Sequence, residues 1–251
     1  MRFPHPLVHG RLVRRYKRFL CDVELDDGTV VTAHCPNPGS MLGGLADPGL
    51  EVWLAPNHSP TAKLRWRWEL LKRDAHLIGI NTNNPNGIVA DAIADGRIPE
   101  LAGYDSLRRE VKYGRNSRID ILLEADGRPP AYVEVKNVHL RRTDGAHPDA
   151  AEFPDSVTKR GAKHLEELAD MVAGGARAVM VYLVQRGDCT HFRVAEDVDP
   201  GYAAGLKAAL TKGVEALCYD CSLSLDGIEL AGPLPVVPPM AAGRTLQETE
   251  V

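Results

Sequence analysis

Ser117-Arg118-Ile119-Asp120-Ile121-Leu122-Leu123-Glu124, followed after Asp126-Gly127-Arg128-Pro129-Pro130 by Ala131-Tyr132-Val133-Glu134-Val135-Lys136-Asn137, is the stretch that decides the fold. Residues 118–124 and 131–137 are apolar and partly β-branched, and the Asp-Gly and Pro-Pro pairs between them are turn chemistry, so an antiparallel hairpin is predicted. Side chains alternate between faces along a strand, so Tyr132, Glu134 and Lys136 share one face and Val133 and Val135 the other. A turn centred near Gly127 and Arg128 sets Asp120 across from Val135. In that register Asp120 reaches Glu134 and Lys136 only through a register change or a bulge. Asp120 and Glu134 from two strands, with the Val135 backbone carbonyl, suit a hard cation such as Mg2+ or Mn2+. Lys136 would then orient the attacking water or stabilise developing charge, as in a metal-dependent phosphodiesterase. The competing reading is an acid and a base side by side on a solvated strand face.

Motifs along the chain weigh between the two. Tyr16-Lys17-Arg18-Phe19-Leu20, His34-Cys35-Pro36-Asn37, Gly39-Ser40-Met41, Glu110-Val111-Lys112-Tyr113-Gly114, Ser117-Arg118-Ile119-Asp120, Glu134-Val135-Lys136, Phe153-Pro154-Asp155, Arg160-Gly161 and Lys163-His164-Leu165 occur in this order. With them the chain closely resembles the sugar fermentation stimulation protein A family. The resemblance implies a two-domain α+β or α/β chain: an N-terminal OB-like β-barrel, then a PD-(D/E)XK restriction-endonuclease-like mixed αβ domain, with DNA binding as the activity. It casts Asp120, Glu134 and Lys136 as the acidic pair and lysine of the nuclease motif. Pro38 departs from the family's small hydroxyl residue in the Asn-x-Gly turn, and the loop from Arg141 to Glu152 is longer than usual. The family name records a cellular phenotype and does not establish hydrolysis.

Composition narrows the partners. The 251 residues carry a net charge of −4, so a uniformly basic nucleic-acid coat is excluded and any DNA surface is local. Basic residues do cluster: Arg11, Arg14, Arg15, Lys17 and Arg18 in one run, Arg65, Arg67, Lys72 and Arg73 in another. Either run can follow a phosphate backbone or be a solvated face. The candidate nucleic-acid contacts are Arg14, Arg15, Tyr16, Lys17, Arg18, Asn37, Ser40, Arg65, Arg67, Arg118, Lys159, Arg160, Lys163 and His164, the last read otherwise as an exposed helical histidine. Trp66 and Trp68 fit a barrel core better than base-stacking platforms. Five cysteines are irregularly spaced, and Cys218 and Cys221 are predicted on opposite faces of one strand, against a zinc site. The expected setting is the reducing cytoplasm, in association with the nucleoid. No stretch approaches the ~20 apolar residues of a membrane helix. A homodimer is left open.

Three regions are expected. Residues 1–80 hold short strand-like runs separated by turns, predicting the OB-like DNA-binding barrel. Residues 81–230 mix helices and strands: a helix over 87–95, strands over 110–113, 118–124 and 131–138, a helix capped by Asp155 or Ser156 and running to Ala173, a buried strand over 178–184, a helix over 202–212 and a strand from 214. Residues 231–251 are proline-rich and polar and are expected to be a loose tail. Two functions compete: a Mg-dependent deoxyribonuclease, or a non-cleaving, largely non-specific DNA-binding regulator of sugar (maltose-type) metabolism. Acids aimed at phosphate favour the first, since without a cation they repel it. No glycine-rich phosphate loop and no paired-Glu or Ser-His-Asp arrangement supports a sugar-pathway enzyme.

Overall fold

The computed structural model describes residues 1–239. Strands β1 (Val8–Tyr16), β2 (Leu20–Leu25), β3 (Val30–His34), β4 (Glu51–Pro56), β5 (Trp66–Arg73) and β6 (His76–Gly79) form the N-terminal sheet in the order β3-β2-β1-β4-β5-β6. A β3–β5 pairing, His34 against Arg67, closes five of these strands into a barrel. That strand order with that closure is an OB barrel. Its interior takes the alternate side chains of each strand: Leu12, Cys21, Val23, Ala33, Val52, Leu54, Trp68 and Leu71 form one core. Trp68 is fully buried and its indole N–H donates to the Leu70 carbonyl at 2.8 Å, which makes it core, as expected. Trp66 packs against the same core from a half-buried position.

The second part opens with helix α1 (Pro85–Ala94), followed by β7 (Ser106–Tyr113), β8 (Ser117–Glu124), β9 (Ala131–Val138), β10 (Ala150–Phe153), α2 (Lys159–Ala173), β11 (Arg177–Val184), β12 (His191–Val194), α3 (Pro200–Thr211), β13 (Glu215–Ser224), β14 (Gly227–Pro233) and β15 (Val236–Val237). A six-stranded mixed sheet runs β14-β13-β11-β9-β8-β7, with β9, β11 and β13 parallel. The buried run Ala178–Val184 is β11 at its centre. Helices α2 and α3 cover one face over Leu165, Leu168, Tyr182 and Tyr202; α1 covers the other over Ile88, Val89, Val133 and Val181, where Trp53 and Leu70 of the barrel join the same core. Cys218 and Cys221 lie in the two different cores, and the five cysteines are free and buried. No helix among the described residues is long and apolar enough to cross a membrane.

Two expectations need correction. Helix α2 is capped by Thr158, whose Oγ1 accepts from the Gly161 N–H at 3.0 Å, and not by Asp155 or Ser156. The expected tail is built in as far as it is described: β14 runs to Pro233, and Val236–Val237 pairs in parallel with β12 because the prolines leave those two residues free to add to an edge. Residues 240–251 of that expectation lie outside the described residues. The loop from Arg141 to Glu152 ends in strand β10 and is tied down by ion pairs of Arg141 with Asp149 and Asp188 and of Arg142 with Glu152 and Asp197.

Asp155 does a different job. Its Oδ2 accepts from the Met41 N–H of the barrel at 2.9 Å and lies 3.4 Å from Nε2 of buried His139. A Cβ on Gly39 would collide with this carboxylate, so glycine is required for the approach. Burial pushes the Asp155 carboxyl up, but the His139 contact and charge and the Met41 N–H outweigh it and hold it below the usual range. A depressed acid adds stability above its ordinary pKa and loses it as the pH falls below that value. Asp155→Ala is therefore expected to cost about 2 kcal/mol at pH 7, by chemical denaturation, with the difference shrinking below about pH 4. A constant difference down to pH 3 would assign the loss to packing.

Candidate active site

Strands β8 and β9 pair as Ile121↔Val133, Leu122↔Tyr132 and Leu123↔Ala131, a register that sets Asp120 level with Glu134, one residue from the expected Val135. The registered pairs stop at Ile121. Beyond it the two strands part, and the Asp120 side chain fills the opening: its Oδ2 accepts from the Val135 N–H at 2.7 Å. On its other side the β7–β8 ladder is in register around, but not at, Glu110 and Asp120, and Glu110 has φ +54°. The one-residue register change, one of the two routes the sequence required, sets Asp120 on the face of Glu134 and Lys136. Asp120 Oδ1 is held by Asn86 Nδ2 of α1 at 2.7 Å. Asn86 was not among the residues singled out by sequence; its only signal was its place in an asparagine-rich run before a helix.

Glu134 is 2 % exposed. Its Oε1 accepts from Lys136 Nζ at 2.7 Å and from His164 Nδ1, while Oε2 has no protein partner. Arg160 Nε lies 3.4 Å from His164 Nε2, on the far side of the ring from Glu134. His164 is buried, which overturns the reading of an exposed helical histidine: α2 turns it onto β9. Burial drives the Glu134 carboxyl up, but the His164 hydrogen bond and the Lys136 charge prevail and keep it below the ordinary value. Burial, and then the negative charge of Glu134, push Asp120 up to about 6. The buried Tyr113 hydroxyl has no partner, and burial followed by the charges of Glu134, Glu167 and Asp120 raises it far above its usual value.

These acids could hold a cation. Glu134 keeps its charge despite burial, Asp120 is pushed towards its neutral form by burial and by the Glu134 charge, and a buried Glu134 oxygen is left unpaired. In extended backbone the N–H and C=O of one residue face the same side, so the Val135 carbonyl lies on the side of Asp120, past the last registered pair. Among the described residues no group of three or more His, Cys, Asp or Glu side chains forms a metal cage. The donor set of Asp120, Glu134 Oε2 and the Val135 carbonyl thus suits an ion that keeps several waters.

A cleft of about 360 Å3 adjoins the site, with Lys112, Arg118, Arg160, Lys163 and His164 in its wall together with Glu110. Lys163 Nζ reaches Ser117 Oγ at 3.2 Å and Glu167 at 3.5 Å. Lys159 is exposed in the first turn of α2. The barrel candidates fare differently. Arg14 pairs with Asp22, to which the Tyr16 hydroxyl also donates, and Arg67 pairs with buried Glu69. Arg15 donates to the carbonyls of Arg18, Asn37 and Gly39, and Arg18 to that of Pro38. Asn37 is 1 % exposed and shapes its own turn by accepting from the Gly39 N–H, so it is not open to a nucleic acid. Lys17, Ser40 and Arg65 are exposed.

Two family models match the chain: "SfsA N-terminal OB domain" over residues 13–80 and "Sugar fermentation stimulation protein RE domain" over residues 83–227. The chain belongs to the sugar fermentation stimulation protein family. Relatives described as sugar fermentation stimulation protein homologs include one from Paramagnetospirillum magneticum, 62% identical over 234 residues and covering 93% of this chain and 97% of its own length. Another, from Rhodospirillum centenum, is 63% identical over 228 residues, with 91% and 96% covered. The solved structure of Pyrococcus furiosus SfsA in complex with Ca2+ superposes with a TM-score of 0.83 at 28% identity, covering 94% of this chain and 99% of that one. The family's architecture is thus an OB barrel followed by a mixed, nuclease-like αβ domain, as the motifs implied.

Proposed function

We propose that the protein binds DNA and hydrolyses its phosphodiester bonds at a divalent-metal site formed by Asp120, Glu134 and the Val135 carbonyl. The observation that carries this reading is the unpaired Oε2 of Glu134, buried beside Asp120 and backed by a cationic cleft. Pure binding gives no reason to set a buried and a half-buried acid where phosphate must come. The P. furiosus relative is described in complex with Ca2+, which supports a divalent cation here; for turnover we assign Mg2+ or Mn2+. Such an ion would polarise a phosphoryl oxygen and acidify its bound water.

The chain's own residues do the rest. His164 holds Glu134 Oε1 and so leaves Oε2 facing the site. Lys136 carries the positive charge nearest these acids and can pass its hydrogen bond from Glu134 to an attacking water or to a phosphoryl oxygen. Lys112, Arg118, Arg160 and Lys163 run a track for flanking phosphates, and Lys159 extends it. Of the barrel candidates, Lys17, Arg65 and Ser40 are on offer, since Arg14, Arg15, Arg18 and Arg67 are engaged in ion pairs or on carbonyls. We place the protein in the cytoplasm with the nucleoid on the strength of the partner.

The test is cleavage of labelled single-stranded, duplex and branched DNA with Mg2+ or Mn2+, with binding followed in parallel. Metal-dependent cutting that disappears in Glu134→Ala, with DNA binding retained, supports the nuclease. Tight binding without cutting on every substrate leaves the non-cleaving regulator. Lys112→Ala and Lys163→Ala should each weaken DNA binding with little dependence on sequence and reduce the magnitude of the log Kd versus log salt slope by about 1. An unchanged slope would take the DNA out of this cleft.

A further inference from the structure

Nothing in the nuclease motif calls for Asn86, yet it makes one of the two hydrogen bonds that fix the Asp120 carboxylate. Its Nδ2 lies 2.7 Å from Oδ1, and the Val135 N–H lies 2.7 Å from Oδ2. Asp120 sits where the β8–β9 ladder has ended, so no registered strand pair holds it and the two donors must aim its carboxylate. The segment before Asn86 is itself anchored in the barrel: Asn81 and Asn84 donate to Oε2 of buried Glu69 at 2.8 and 3.2 Å, and Asn81 Oδ1 accepts from the Asn83 N–H. Helix α1 then starts at Pro85, whose fixed φ suits a first turn, and carries Asn86 to the site.

We infer that Asn86 is a positioning residue for the metal site, orienting Asp120 Oδ1 so that the remaining lone pairs face the cation shared with Glu134. This rests on the metal-site reading proposed above. A ligand carboxylate freed of such a partner loses orientation, and outer partners of metal ligands typically account for roughly 10–100-fold in affinity.

The experiment is titration of purified full-length protein with Mn2+, and separately Ca2+, at pH 8, read as the shift in melting temperature and by calorimetry. Asn86→Ala should keep the metal-free melting temperature within a few degrees of wild type while needing roughly 10–100-fold more metal for the half-maximal shift. Asn84→Ala is the control for the linker, since it removes the bond to Glu69 without touching Asp120; it should leave the metal concentration unchanged. Equal weakening by Asn84→Ala would make Asn86 a structural linker residue and overturn the inference. So would a metal response in Asn86→Ala equal to wild type, which leaves the metal site itself standing. No saturable response in wild type would overturn the metal site and this role together.

Discussion

Lys136→Met should lower metal-dependent strand cleavage by roughly 10²–10⁴-fold while leaving the metal-induced rise in melting temperature in place. Methionine keeps most of the side chain's length and packing and removes the charge. In the wild type the ammonium donates to Glu134 Oε1, but His164 Nδ1 donates to the same oxygen. The ligand therefore keeps an orienting partner when the lysine is gone, and what is lost is the cation that meets a water or a phosphoryl oxygen in the transition state. The Lys136 charge also helps to keep both Glu134 and Asp120 ionised, so its removal moves both carboxyls upward. The comparison belongs at pH 8, well above the value of about 6 for Asp120, where this secondary effect least disturbs metal binding. Loss of the metal response in parallel with cleavage would show that Lys136 serves as an anchor for Glu134. Unchanged cleavage would remove the ammonium from the chemistry.

The barrel was legible because its signals are local. Alternating runs broken by turns such as Asp26-Asp27-Gly28 fix short strands, and Trp68 goes inward because a fully buried indole needs only one acceptor, here Leu70. The face shared by Glu134 and Lys136 followed from strand periodicity alone. Asp120 was harder, since its place on that face depends on a one-residue difference in the β8–β9 register, which the turn residues alone do not specify. The environments of His164 and Asn86 are long-range: one is set by how α2 docks on β9, the other by a linker tied to the barrel at Glu69. In the basic run at 11–18, charge counting does not see partners: Arg15 and Arg18 direct donors to the carbonyls of residues 37–39 and help to build that loop. Asp155 reads as a helix cap by residue type, but its partner is the barrel amide of Met41, which is distant in sequence.

Asp120→Asn should produce two opposite effects, and their opposition is what separates a functional acid from a structural one. Asp120 is raised to about 6 from an ordinary 3.8, by burial first and then by the charge of Glu134. A raised carboxyl favours the folded state when protonated; that contribution is complete below about pH 4 and is lost as the pH rises through about 6. The metal-free wild type therefore carries an uncompensated cost at pH 8 that asparagine, which does not titrate, avoids. The expected gain is about 2 kcal/mol at pH 8, or about 4–8 °C in melting temperature for a chain of this size, falling towards zero at pH 4. The carboxamide oxygen can still accept from the Val135 N–H, and its NH2 can face Asn86 after a flip of that amide. With saturating Mn2+ the order should invert. Wild type gains roughly 2.7 kcal/mol at a metal concentration 100 times Kd, while the variant, short of one anionic ligand, gains little. If Asp120→Asn destabilised the metal-free protein at pH 8, the carboxylate would be serving as a structural acceptor for Asn86 and Val135, and the repulsion between Asp120 and Glu134 that calls for a cation would not be there.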